Sequence, residues 1–181
     1  IKVRFRVNSW GIGPNEGWYI DDVTVAELDT TAVQLPFTDD FENGLSQWQS
    51  SGKDWDTTSA TKRAGNNSIA DSPDGNAPAY SNATISTLHQ IDLTTAVNPY
   101  ISYWDKYSLW GGDGWNGPHQ LYVQVSKDNG FNWTTLVSYT GTVTTWYHHQ
   151  YNLKSYVGNK IKVRFIVGTN GGGTSDGCYI D

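Results

Sequence analysis

Acidic side chains at two distant places in the sequence are the first candidates for chemistry, as ligands for a metal ion. Asp40 and Glu42 flank Phe41, so an extended strand would place both carboxylates on one face. Asp181 belongs to a second strand-forming segment. Carboxylates built into apolar strands are costly unless they are neutralised. If the first and last strands of the domain are neighbours in a sheet, the three carboxylates lie close together. Carboxylate oxygens suit Ca²⁺, so we predict a structural calcium site. The alternative is that these carboxylates cap turns or face water.

Tryptophan side chains form the second candidate site. Trp110 and Trp115 flank a glycine-rich stretch that we predict to be a loop. Exposed tryptophan rings can stack on sugar rings or on a neighbouring domain. The alternative is that these two rings close one end of a hydrophobic core.

The histidines do not suggest catalysis. His148 and His149 are adjacent, so in a strand they point to opposite faces and cannot share one metal ion, while His89 and His119 stand alone. The sequence has no HExxH or GxSxG motif and no glycine-rich phosphate loop. The many carboxylates leave a glycosidase pair open, but we predict a protein that is not an enzyme and has no catalytic residue.

Composition points to an all-β domain. The 181 residues include 19 glycines and are 14% aromatic, and strand and turn formers outnumber helix formers. The net charge is −6 with 12 lysines and arginines, and no basic stretch follows a phosphate backbone, so nucleic acid is not an expected partner. No apolar run has the length of a membrane span.

Three sequons, at Asn66, Asn82 and Asn132, predict glycosylation if the source organism glycosylates. The charged content of 17% is low for a cytosolic enzyme, and we predict an extracellular location, either secreted or at the cell surface. The single cysteine, Cys178, takes the place of a tryptophan in a repeated segment described below, and we predict that it is buried in the core.

Strands can be placed from period-two alternation and turn residues. Their number and spacing predict a two-sheet antiparallel jelly-roll β-sandwich. One hairpin has the form S-x-D-x-G-x-x-W from Ser126 to Trp133, which resembles an Asp-box turn. The strands are predicted around residues 1–7, 18–25, 67–71, 84–92, 99–109, 120–126, 132–138, 146–152, 161–167 and 178–181.

The segment 1–21 repeats at 161–181, with 12 of 21 residues identical and no gap, at an offset of 160 residues. Fixed-period similarity indicates a tandem array. We therefore predict three regions: residues 1–28 as the last strands of a preceding unit, 29–37 as a linker, and 38–181 as a domain that lacks the end of its last strand. Residues 1–25 can complete a neighbouring copy by strand addition. The alternative is a window cut from a continuous chain.

Several motifs occur in the order found in MAM domains, among them DDFENGLSQWQ at 39–49, ISYWDKYSLWGGDG at 101–114 and GCYID at 177–181. The chain resembles MAM-like jelly-roll modules of secreted bacterial proteins, including immune inhibitor A-type metallopeptidases, over residues 38–181. This resemblance implies a non-catalytic adhesion or structural module with bound calcium, and it adds Asp54 to the metal ligands. The alternative function is a carbohydrate-binding accessory module of a secreted hydrolase or protease. Expected partners are other copies or repeat units, and glycans.

Overall fold

Twelve strands and one short 3-10 helix, Lys154–Tyr156, make up the described secondary structure. The computed structural model describes residues 2–6, 20, 23, 25, 31–51, 55–171 and 173–181. No helix in these ranges is long and apolar enough to cross a bilayer. The strands are β1 (Ala32–Val33), β2 (Trp48–Ser51), β3 (Asp56–Thr58), β4 (Ser68–Ala70), β5 (Asn82–Thr87), β6 (Gln90–Asp92), β7 (Tyr100–Ser108), β8 (Gln120–Ser126), β9 (Thr134–Tyr139), β10 (Thr142–Asn152), β11 (Lys160–Gly168) and β12 (Gly177–Ile180).

The strands form two sheets, which confirms the predicted all-β sandwich. In the larger sheet, β11 pairs with β5 and β6 along one edge and with β8 along the other, and β2 and β9 extend the two sides. The smaller sheet has the order β10-β7-β12-β4-β3. The pairings between described strands are antiparallel, apart from the two-residue contact of β1 with β6.

The core lies between the sheets and is built by alternation along the strands. In β11, Ile161, Val163, Phe165 and Val167 point inward and are at most 3% exposed. Each such side chain contributes about 1.5–3 kcal/mol through burial. Cys178 of β12 is fully buried, as predicted, and burial raises the pKa of its thiol.

The structure departs from the predicted strands in three places. The predicted strand 84–92 is two strands, β5 and β6, because the chain bends at residues 88–89 and the two strands pair with different parts of β11. The short strands β1, β2 and β3 were not predicted, since they lack clear alternation. Residues 2–6 lie outside any strand, and most of the predicted strand 18–25 falls outside the described residues.

The Asp-box prediction is confirmed in detail. The carboxylate of Asp128 accepts hydrogen bonds from Ser126 and from the backbone and side-chain nitrogens of Asn132. Gly130 has a φ of +96°, and the Trp133 indole N–H donates to its carbonyl at 2.8 Å. These bonds close the turn between β8 and β9. The hydrogen bond from the Asn132 backbone N–H contributes most to lowering the pKa of Asp128, to about 2.

A buried polar cluster connects the edges of the two sheets. Asp105 of β7 is fully buried, and its Oδ1 lies 3.0 Å from Nε2 of His149 on β10. The other ring nitrogen of His149 is 3.1 Å from the hydroxyl of Tyr139 on β9, which also bonds to Tyr103 and Tyr151. Burial raises the pKa of Asp105 to about 7. Burial also lowers the pKa of His149, so the neutral forms of both groups are favoured.

The raised pKa of Asp105 makes stability depend on pH. The folded protein holds the Asp105 proton up to a pH of about 7, whereas the unfolded chain releases it near 3.8. Binding of this proton adds to the free energy of unfolding, fully at a pH below 3.8, and this stabilisation is lost as the pH rises through about 7. Between about pH 4 and about pH 8, we expect the melting temperature of the wild type to fall relative to that of Asp105→Asn.

Thermal melts followed by circular dichroism across this range test the expectation. The comparison with Asp105→Asn cancels the titration of the shared groups that do not contact Asp105. A melting-temperature difference that stays constant with pH would contradict the raised pKa.

Candidate functional site

A hollow of about 300 Å³ lies on the outer face of the larger sheet. Gly168 is paired with Asn82 on one side and with Gln120 on the other, so these residues form a row across β5, β11 and β8. The missing side chain of Gly168 leaves the space: a Cβ there would lie 3.3 Å from Asn82 Oδ1 and 3.6 Å from Tyr122 Cε2. We call this the Gly168 hollow. Its full lining is Tyr80, Asn82, Pro118, Gln120, Tyr122, Gly168, Thr169 and Asn170.

A second, basic groove of about 250 Å³ lies further along the same strands. Lys162 and Arg164 precede Gly168 along β11 and lie on the same outer face. The Arg164 guanidinium stacks 4.2 Å from the centre of the Trp133 ring and donates to Gln124 at 2.7 Å, which fixes its position. We call this the Arg164 groove. The described residues that line it are Gln49, Ser51, Thr84, Ser86, Asn129, Gly130, Trp133, Lys162 and Arg164.

The two hollows form one polar track. They share β5 and β11, and side chains that alternate outward connect them: Thr84 lies between Asn82 and Ser86, and Ile166 between Gly168 and Arg164. The six steps from Lys162 to Gly168 span about 20 Å. The arrangement offers amide, hydroxyl and guanidinium groups to an extended polar ligand.

Two exposed aromatic rings lie on segments that reach the Gly168 hollow: Tyr80 lines it, and Trp115 belongs to the loop that leads to Pro118 of the lining. Trp115 is 97% exposed and Tyr80 is 79% exposed. The Asp113 carboxylate accepts hydrogen bonds from the backbone N–H groups of Trp115 and Asn116, at 2.7 and 2.8 Å, and so holds the turn that presents Trp115. These bonds also hold the pKa of Asp113 below its ordinary value. The turn thus leaves the face of the Trp115 ring free for stacking.

Trp110 occupies a different environment from Trp115. Its half-buried ring meets the ring of His119 edge-on at 5.5 Å and fills the space beside Gly173. His119 is fully buried, and its ring nitrogens bond to the Ser175 hydroxyl and the Asn170 carbonyl, both at 3.0 Å. Trp110 and His119 thus join the loops after β7 and β11 and support the wall of the hollow.

Glu42 and Asp181, two of the four predicted calcium ligands, approach the same loop of residues 61–67. Glu42 accepts hydrogen bonds from the backbone N–H groups of Asn66 and Asn67 and from the Asn66 side chain. Asp181 Oδ2 accepts from the backbone N–H groups of Arg63 and Ala64. The Asn66 and Asn67 amides lower the pKa of Glu42. Residues 139 positions apart in sequence therefore fix one loop.

The other two predicted ligands are placed differently. Asp40 does not lie in a strand: Phe41 has a φ of +57°, and Asp40 Oδ1 accepts from the Glu42 backbone N–H at 3.3 Å. Asp54 lies outside the described residues. Within the described ranges, no three His, Cys, Asp or Glu side chains come close enough to hold a metal ion. Glu42 and Asp181 fit calcium as hard oxygen donors, but backbone carbonyls would have to supply further ligands.

The three sequon asparagines are all exposed. The side-chain amides of Asn66 and Asn132 donate to Glu42 and Asp128, respectively, while Asn82 lines the Gly168 hollow. Their glycosylation stays a prediction.

Comparison with known proteins supports the fold. Similar solved structures include a carbohydrate-binding module specific for non-crystalline cellulose, CBM28, with 13% identity, a TM-score of 0.50 and coverage of 82% of this chain and 95% of that one. TmCBM61 in complex with β-1,4-galactotriose has 18% identity and a TM-score of 0.49, with coverage of 78% and 92%. The K3 cleaved adhesin domain of Lys-gingipain from Porphyromonas gingivalis W83 has 16% identity and a TM-score of 0.49, with coverage of 81% and 98%.

No family model and no curated protein matches the chain. The two sheets and the similarity to CBM28 show that the described part of the chain is a jelly-roll β-sandwich domain. Its resemblance to MAM domains stays a prediction.

The polar track was not predicted from the sequence. Its outward residues on β11 do alternate with the core residues, so the exposed face was foreseeable. Which strands flank β11 depends on pairings between residues tens of positions apart, and the sequence carries no local signal for them.

The calcium prediction can be tested by metal removal. Calcium bound only to the folded state must stabilise it, so we expect EDTA to lower the melting temperature by about 5 °C or more. We expect the double variant Glu42→Gln, Asp181→Asn to melt at a lower temperature and not to respond to EDTA. An EDTA response equal to zero in the wild type would mean that hydrogen bonds alone hold the 61–67 loop.

Proposed function

We propose that this domain is a non-catalytic extracellular module that binds an extended glycan along the outer face of β5, β11 and β8. The observation that carries the proposal is the polar track, with two hollows on the same strands and the exposed ring of Tyr80 in the lining of one of them. Sugars are recognised by this combination of aromatic faces and convergent polar groups. The structural neighbours whose names mention carbohydrates are consistent with it.

The two ends of the track favour different parts of a ligand. At the Gly168 end, the Tyr80 and Trp115 rings suit the apolar faces of sugar rings. At the other end, the described lining carries the cationic side chains of Arg164 and Lys162, in a protein whose net charge is −6. An arginine held by stacking and a hydrogen bond is pre-organised for a carboxylate or sulfate. We therefore propose a glycan that carries acidic groups.

A structural or adhesive module in a tandem array is the second candidate function. Its support is the repetition of 1–21 at 161–181, with 12 of 21 residues identical. The two functions are compatible, because the repeated segment supplies the core strand β11 in every unit while the track lies on its outer face. The structural calcium at Glu42 and Asp181 belongs to this proposal as an element that holds the 61–67 loop.

Binding to a panel of soluble polysaccharides tests the glycan proposal. We expect polygalacturonate to retard the protein in affinity electrophoresis more than neutral galactan or hydroxyethyl cellulose. The variant Tyr80→Ala, Trp115→Ala should weaken binding at least about tenfold, and Lys162→Gln, Arg164→Gln should remove the preference for the acidic polymer.

Tyr100→Ala is the matched control, since Tyr100 is a 60% exposed aromatic residue on the other sheet. Its binding should equal that of the wild type. Failure of the wild type to bind any of these polysaccharides, or binding that survives both double variants, would contradict the proposal.

A further inference from the structure

Gly168 of β11 is a glycine that its own backbone does not require. It is not among the described glycines with a positive φ, so other residue types can adopt its conformation. A Cβ at this position would meet no atom closer than Asn82 Oδ1 at 3.3 Å, and the exposed side chain of Asn82 can shift to relieve this contact. A glycine in a strand weakens the strand, and it often marks a place where a ligand approaches closely.

Three other glycines, in the loop after β11 and at the start of β12, are required by packing instead. A Cβ would collide with a neighbouring side chain at each of them: with Tyr80 at Gly171, with Trp110 at Gly173 and with Asp71 at Gly177. Packing therefore explains why these three residues are glycines, but it does not explain Gly168.

The repeat of 161–181 at residues 1–21 distinguishes the two kinds of glycine. It has glycine at the positions of the three that packing requires, as Gly11, Gly13 and Gly17. At the position of Gly168 it has Asn8. The repeated sequence thus keeps the glycines of the fold and changes the one that opens the Gly168 hollow.

The cationic end of the track is the same in both copies of the sequence. Lys162 and Arg164 point outward on β11, where packing of the core does not fix the residue type. Their equivalents are Lys2 and Arg4. Two cations at alternate positions of a strand lie on one face about 7 Å apart, which suits a ligand that carries several negative charges.

The outward residue between the cationic end and the hollow differs between the copies. Ile166 forms a row with Thr84 of β5 and Tyr122 of β8, and its equivalent in the repeat is Arg6. The half-buried Ile166 provides an apolar surface beside the hollow, which suits the face of a sugar ring. An arginine at this position would add a third cation to the same face.

We propose that positions 166 and 168 of β11 determine which glycan the track accepts, and that the Gly168 hollow is the subsite for one sugar ring. The inference rests on the proposed glycan binding. The amide groups of Asn82 and Gln120, on either side of Gly168, supply donors and acceptors for sugar hydroxyls. A side chain at position 168 would fill the space for the ring. A track with the outer face of residues 1–10 would therefore hold an acidic chain by charge and have no subsite for the ring.

Two forms of one polymer separate the fit of the ring from charge. Polygalacturonate and its methyl ester share one sugar chain, and the ester lacks the carboxylate charges. Affinity electrophoresis gives the dissociation constant for each. We expect Gly168→Asn to weaken binding of both polymers by the same factor, at least about tenfold, because it removes space and no charge. The preference for the acidic polymer should stay that of the wild type.

The exchange of both positions tests the origin of specificity. Ile166→Arg combined with Gly168→Asn gives β11 the residues that the repeat has at these positions. We expect this double variant to bind the ester as weakly as Gly168→Asn does. Its preference for the acidic polymer should exceed that of the wild type by about threefold, since one surface cation is added.

Gly158→Asn is the matched control. Gly158 has a positive φ that asparagine tolerates, has no atom within 4 Å of its Cβ position and lies outside the linings of both hollows. Its binding should equal that of the wild type. Thermal melts show which variants are folded, and Gly168→Ala, with a smaller side chain, replaces Gly168→Asn if the latter is unfolded.

The inference and the proposed function fail in different ways. Wild-type binding by the folded Gly168 variants, or a loss confined to the acidic polymer, would overturn the ring subsite and leave glycan binding intact. A wild type that binds neither polymer would contradict glycan binding itself.

Discussion

The two-residue period of strand β11 is the constraint on which the rest of the structure depends. Ile161, Val163, Phe165 and Val167 point into the core and are at most 3% exposed, and the residues between them face outward. A register shift of one residue would exchange these two sets. Because β11 also pairs with β5, β6 and β8, its register fixes the positions of its neighbours. One strand therefore sets both the core and the polar track.

Polar groups at the ends of the sandwich hold the loops that surround this frame. His119 bonds to Ser175 and the Asn170 carbonyl, so the loops after β7 and β11 have one arrangement. Glu42 and Asp181 do the same for the 61–67 loop. The bonds of His119 are buried or part-buried and are costly to leave unmade, so they anchor the end of the loop that carries Trp115.

Much of the fold follows from local patterns in the sequence. Alternation located β7, β8 and β11 to within a residue or two, and the Asp-box motif gave the hydrogen bonds of the β8–β9 turn. The prediction was weaker where long-range contacts decide the conformation. Phe41 takes a left-handed φ because the segment around it folds onto the core, so the expected strand with Asp40 and Glu42 on one face is absent.

The same distinction applies to the candidate site. The exposed position of Trp115 follows from its glycine-rich loop, and it was predicted as one alternative. The Gly168 hollow could not be predicted, because it exists only where Asn82 and Gln120 flank a glycine from two other strands.

The central claim is that the outer face of β5, β11 and β8 is a ligand-binding surface. NMR titration of the ¹⁵N-labelled protein with oligogalacturonates tests it most directly, because amide shifts report where a ligand contacts the backbone. The account predicts shifts concentrated at residues 82–86, 120–124 and 162–170 and in the loop around Trp115. Shifts concentrated on the outer face of β7 and β10, or no shifts with any oligosaccharide, would contradict it.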